Sequence, residues 1–195
     1  MHEKLYKQLI KADPQRIAQN AQCQFDAGGS RYKLKFLNTD YIIDAGMQTI
    51  IPAEEGTQGG NTGFLHQLCI LAYLIKAGDI PLSGKLVTAD KLDGGQFFFR
   101  PPHELPKKQL EDAFGTCPDM LYTAARPLNP QKCEFGDASI RFLAFPNVPV
   151  HFIVWAADDQ FPARASILYD RTADRQLPLD AIWAATNIAA KSITT

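Results

Sequence analysis

The chain opens on helical spacing. Leu5, Leu9 and Ile10 fall on one side of a short helix over residues 3–11. Asp13-Pro14 predicts the start of a second helix: aspartate accepts from the first free amides, and proline sits where a missing N–H costs nothing. Ile17, Ala18 and Ala21 face inward as this helix runs to about residue 21. The period then switches to two. Cys23, Phe25 and Ala27 alternate with polar residues, Gly28-Gly29-Ser30 turns, and Tyr32, Leu34 and Phe36 alternate with Arg31, Lys33 and Lys35. Residues 41–44 and 47–51 continue the pattern, which predicts an antiparallel meander with one solvated face.

Residues 52–63 form a glycine-rich loop containing Gly56, Gly59, Gly60 and Gly63. It leads into a helix, Phe64 to Lys76, that is apolar nearly all round and therefore buried on more than one face. Gly78 ends it. Leu86-Val87-Thr88 predicts a short strand, and Asp93-Gly94-Gly95 a turn. Phe97-Phe98-Phe99 places three rings side by side, which cannot share one face of an extended chain. Short helices are expected over 104–114 and after Pro118. The last third carries the most continuous strand, Val148-Pro-Val-His-Phe-Ile-Val-Trp155, apolar on both faces and hence central. Strands at 137–145 and 165–170 flank it. A closing helix over 177–191 is expected to bury Leu179, Ile182, Trp183 and Ile188. The pattern adds up to an α+β fold: a mainly antiparallel sheet of about five to seven strands, packed by the helices at 64–76 and 177–191. No linker or repeat divides residues 1–195, so one domain is expected.

Charge narrows the partners. Twenty basic residues oppose 21 acidic ones for a net charge of −1, so no excess exists to hold a nucleic-acid backbone. The first ten residues are charged and amphipathic rather than a signal peptide. The longest apolar run, from Phe64, is interrupted by His66 and Gln67 and is too short to span a bilayer. A cytoplasmic protein without a membrane partner is the expectation. Cys23, Cys69, Cys117 and Cys133 form no C-x-x-C pair, so free thiols and no metal centre are expected.

Candidate chemistry is sparse. His151, Asp158, Asp159 and Asp170 are the residues that could serve acid–base catalysis or a divalent ion. The competing reading is a solvated acidic turn and a packed core histidine. Gly59 and Gly60, at the entry to a helix, together with Phe98 and Trp155, are the candidate ligand contacts. The basic row Arg31, Lys33, Lys35 could hold an anion, or simply face water. There is no P-loop, Gly-x-Ser-x-Gly, His-Glu-x-x-His or kinase signature.

An ordered set of short pieces carries a family resemblance: Lys11-Ala-Asp-Pro-Gln-Arg-Ile-Ala, Leu71-Ala-Tyr-Leu, Gly78-Asp-Ile-Pro-Leu-Ser-Gly-Lys with Leu92-Asp-Gly-Gly, Ala113-Phe-Gly, Phe145-Pro-Asn-Val-Pro-Val, Trp155 with Asp158-Asp159-Gln-Phe-Pro-Ala, and Leu168-Tyr-Asp. Together they resemble domain of unknown function 3786, an uncharacterised family found mainly in anaerobic bacteria. Some members are labelled iron–sulfur proteins. The resemblance spans nearly the whole chain. It implies no catalytic residue and no named cofactor, and an iron–sulfur label would go with a cysteine-rich segment that this chain lacks.

Three functions follow as expectations. The first is a non-catalytic module binding a small ligand or cofactor, in anaerobic metabolism. The second is an enzyme built on His151 and the aspartates. The third is a structural or assembly homo-oligomer.

Overall fold

The structure is a computed structural model that describes residues 2–53 and 62–195. The N-terminal helices form where the spacing predicts them, α1 at His2–Lys11 and α2 at Pro14–Ala21. The Asp13 carboxylate accepts from the amides of Gln15 and Arg16, and Gln22 closes α2 in the left-handed conformation.

The meander follows as β1 (Gln24–Asp26), β2 (Arg31–Phe36), β3 (Thr39–Asp44) and β4 (Thr49–Pro52), antiparallel and paired in chain order. Tyr32, Leu34 and Phe36 are buried, while Arg31, Lys33 and Lys35 face out. The basic row is met by carboxylates on β3: Arg31 lies 3.0 Å from Asp44, Lys33 3.4 Å and Lys35 3.1 Å from Asp40. Cross-strand neutralisation accounts for this row.

Helix α3 (Phe64–Lys76) buries an unbroken run from Cys69 to Leu74, as an apolar circumference requires. Beyond it come β5 (Leu86–Thr88), α4 (Gly95–Phe98), α5 (Lys107–Phe114), α6 (Met120–Ala124), β6 (Gln131–Lys132), β7 (Ala138–Phe145), β8 (Val148–Trp155), β9 (Arg164–Asp170), α7 (Ala173–Gln176) and α8 (Leu179–Thr194). Strands β5 to β9 make a second antiparallel sheet in the order β5-β9-β8-β7-β6. The α+β class holds, but the strands divide into sheets of four and five rather than one. Alternation marks each hairpin locally and carries no information on which hairpins share a ladder.

Three stacked rings join the two halves. Phe36 of β2 stacks on Phe145 of β7 at 4.7 Å, and Phe145 stacks on Tyr73 of α3 at 4.2 Å. The Leu37 amide donates to the Ala144 carbonyl beside them at 3.0 Å. The Tyr73 hydroxyl donates to the Ala21 carbonyl and accepts from the Asn147 amide, which ties α2 and the β7–β8 turn to the same point.

Strand β8 is buried along its length except at Trp155, as a central strand should be. The buried stripe of α8 differs from expectation. It is Ala181, Ile182, Ala184, Ala185, Thr186, Ala189, Ala190 and Ile193, with Leu179, Trp183 and Ile188 only partly buried. The alanines present little bulk and let the helix lie close to its neighbours, a role that side-chain size does not advertise. The Phe97–Phe99 run is also different: it lies on and just after the helical turn α4, not on extended chain, and Phe98 meets Phe99 edge-on at 5.2 Å. Phe97 is 72% exposed, and Phe98 stacks on His103 at 4.5 Å. Among the described residues, no helix is long and apolar enough to cross a membrane.

Replacing Phe145 by alanine removes the middle ring of the stack. We expect a loss of about 3–5 kcal/mol in urea unfolding, against less than about 1 kcal/mol for Leu143→Ala on the exposed side of the same strand. Equal losses would mean that the ring stack does not hold the halves together.

Candidate functional site

Strand β9 ends on Asp170, which is only 2% exposed. A carboxylate removed from water must be satisfied by donors, and five converge on it. Its Oδ1 accepts from the Ser83 amide (3.1 Å), the Ser83 hydroxyl (2.9 Å), the Thr172 amide (2.9 Å) and the Thr172 hydroxyl (2.7 Å). Its Oδ2 accepts from the Gly84 amide at 2.8 Å. Burial alone would push this carboxyl up, but the hydrogen bonds from Thr172 and Ser83 outweigh it and hold the pKa down at about 2. Six residues on, fully buried Gln176 accepts from the Gly78 amide and donates to the Ile80 carbonyl, both at 3.0 Å. The segment from Gly78 to Lys85, which has no regular structure before β5, is thus fastened near both ends to the chain that follows β9.

A second wall stands opposite. The chain passes from β5 through a 3-10 turn at Ala89–Lys91 into α4. Gly94 has φ +73°, a conformation that favours glycine. A Cβ on Gly95 would lie 2.0 Å from the Ala89 carbonyl oxygen, so only glycine lets α4 close on the turn. Asp174 accepts from the Asp93 amide at 2.6 Å and links this wall to α7.

Between the walls is a cleft of about 1070 Å³. Leu92 and Leu179 contribute apolar surface; Lys76, Lys91, Arg171 and Arg175 bring positive charge, and Asp90, Asp93 and Asp174 negative charge. Lys91 is paired with Asp90 at 3.3 Å, and Asp174 is engaged by the Asp93 amide. Lys76, Arg171 and Arg175 have no ion-pair partner among the described residues. Arg171, just before the short helix α7, and Arg175, on it, stand four residues apart and both line this space.

The residues singled out from the sequence are scattered. His151 lies mid-way along β8, and its Nδ1 is 3.8 Å from Cys133 Sγ. Burial, then the nearby Arg141 charge, lowers its pKa, which favours the neutral ring. Asp158 accepts from the amides of Gln160 (2.8 Å) and Phe161 (2.7 Å), which lower its pKa and close its own turn. Asp159 is exposed beside it. That turn begins beyond Trp155, four residues from His151 on an extended strand and so about 13 Å away. Asp170 lies diagonally across from His151 on β9, but its recorded donors are Ser83, Gly84 and Thr172. The structure therefore brings Cys133, and none of the three aspartates, into contact with His151. Trp155 packs against the Arg164 guanidinium at 5.1 Å, away from the cleft. Phe98 sits on α4, whose residue Gln96 lines the cleft, but its own ring turns to His103. Gly59 and Gly60 lie outside the described residues.

Lys76, Arg171 and Arg175 went unnoticed in the sequence because isolated basic residues near helix ends are common. A signal was present: three of the pieces that carry the family resemblance, from Gly78 to Lys85, from Leu92 to Gly95 and from Leu168 to Asp170, all converge on this one cleft.

A test of the clasp follows from its charge. The folded pKa of Asp170 is depressed, so its contribution to stability is full above the unfolded value near 4 and is lost as pH falls toward 2. The difference of roughly two units is worth about 2–3 kcal/mol. Asp170→Ala is expected to cost at least that near neutrality and progressively less on acidification, with faster amide exchange at Ser83 and Gly84. A pH-independent difference would show that the carboxylate is not held by these donors.

Residues 13–192 match the model of the family described as Domain of unknown function (DUF3786). No match was found among curated proteins or among solved structures. With nearly the whole chain matched, this protein belongs to the DUF3786 family.

Proposed function

We propose that the protein is a small-ligand-binding module. Its ligand is a polar molecule bearing an anionic group, phosphate or carboxylate, and it sits in the cleft between α4, α7 and the Gly78–Lys85 segment. The observation that carries this reading is the set of three basic side chains, Lys76, Arg171 and Arg175, turned to one cavity without carboxylate partners among the described residues. By contrast, the basic row on β2 is matched by Asp40 and Asp44. Unmatched cations grouped in a concavity suit a ligand that supplies the opposite charge.

The size and chemistry of the cleft fit this class. About 1070 Å³ is at the upper end of the space a small ligand fills. The mixed lining, with Asp93 and Gln96 as acceptors facing the basic residues, suits a molecule with hydroxyl or amino groups as well as a charge. Non-catalytic binding is favoured over acid–base chemistry because the most buried carboxylate bordering the site, Asp170, is fully occupied as an acceptor and stays ionised. The proposal does not depend on an anaerobic setting or on an iron–sulfur group.

Titration calorimetry at low ionic strength, with inorganic phosphate, pyrophosphate and citrate as probes, tests it. At least one should bind with one-to-one stoichiometry and weaken as salt rises. Both arginines are exposed, so Arg171→Ala/Arg175→Ala should fold as the parent does and bind at least tenfold more weakly. Binding unchanged in the double variant would overturn the assignment, as would no binding of any probe.

A further inference from the structure

A second site stands apart from the cleft, on the opposite side of β8 from the core that α8 covers. His151 is 6% exposed, and among the described residues its one polar contact is the 3.8 Å approach of Cys133 Sγ to Nδ1. The ring is fixed in place. It belongs to a central strand paired with β7 and β9, and Phe135 meets it edge-on at 6.3 Å. Cys133 is half-buried, just beyond β6, with its amide donating to the Ser139 carbonyl at 3.0 Å.

We infer that Cys133 and His151 form a two-ligand site for a soft d10 metal ion of the monovalent copper class. With metal–sulfur and metal–imidazole bonds of about 2.3 and 2.0 Å, a 3.8 Å gap between the donors corresponds to an angle of about 120° at the ion. That angle suits three-coordinate geometry and needs no movement of the backbone. Thiolate and imidazole together select soft ions. Among the described residues, no group of three or more histidine, cysteine, aspartate or glutamate side chains could hold a metal. The ion must therefore accept two protein donors and take its third from solution, a thiol or water. Divalent zinc and the hard cations, which require fuller protein shells, fit poorly. Binding forms the metal–sulfur bond as the thiol proton leaves for solvent, and no electron changes hands. Imidazole ligates in its neutral form.

Among the described residues, no other thiol has a recorded histidine contact. Cys69 is buried and donates to the Ala181 carbonyl at 3.6 Å; burial raises the pKa of Cys23 to about 12 and also raises that of Cys133, whose thiol further meets the Gln131 carbonyl at 3.8 Å. Cys117 is exposed and is removed as Cys117→Ser. In that background, anaerobic titration with monovalent copper from a chromogenic chelator should show one bound ion. Cys133→Ser should abolish binding, and His151→Gln should weaken it at least tenfold. X-ray absorption of the loaded parent should show an imidazole nitrogen beside sulfur. Undiminished binding in Cys133→Ser or His151→Gln would overturn the proposal, and so would a copper shell without imidazole. The absorption spectrum decides the matter even if the His151 variant folds poorly, because it uses the parent core. Since neither residue lines the cleft, loss of copper binding leaves the anion titrations unaffected.

Discussion

The cleft depends on one buried carboxylate. Asp170 can leave water only because Ser83, Gly84 and Thr172 supply its donors, and those donors are where they are because Asp170 gathers them. Six irregular residues separate Gly78 from Lys85, too long a stretch to hold one shape by local turns alone. With Gln176 fastening one end and Asp170 the other, the stretch becomes a wall. The same fastening fixes the path of residues 171–175, and so aims Arg171 and Arg175. The acid serves architecture, while Lys76, Arg171 and Arg175 line the cleft without ion-pair partners among the described residues, which is what the proposed binding of an anionic ligand rests on.

The clasp can be this demanding because the frame behind it is rigid. Strand β9 is paired on both edges, by β5 and β8, and the Tyr169 hydroxyl beside Asp170 meets Thr186 of α8 at 2.8 Å in the core. The stack of Phe36, Phe145 and Tyr73 then ties this sheet to the N-terminal one through α3, whose last helical residue, Lys76, borders the cleft. Burial of large rings sets the positions of the elements; hydrogen bonds to one charged group set the position of a loop upon them.

Much of this was legible in the sequence where the signal is local. Asp13-Pro14, the alternation across Tyr32, Leu34 and Phe36, the apolar circumference of residues 64–76 and the two-faced strand ending in Trp155 each express a period or a cap, and each element formed there. The partition into two sheets was not legible, because it depends on long-range contacts such as Phe36 with Phe145. Nor was the stripe of α8, where alanines took the place that larger residues were expected to hold. The site was the least legible part. His151, the acidic turn and Asp170 stand out in the sequence as possible reactants, whereas the cleft is lined by basic and acidic residues drawn from α3, the Ala89–Lys91 turn, the turn before α4 and the β9–α7 junction. Cys133 and His151, 18 positions apart, meet because β6 and β8 pair on the two edges of β7.

The most direct test of the account is to map where an anion settles on the folded protein. Backbone amide NMR spectra recorded during titration with pyrophosphate should show saturable shifts confined to Ser83–Lys85, Lys91–Gln96 and Arg171–Arg175, with the β2 basic row and the His151 region unmoved. Shifts centred on Arg31, Lys33 and Lys35, or spread over the surface without saturation, would contradict it.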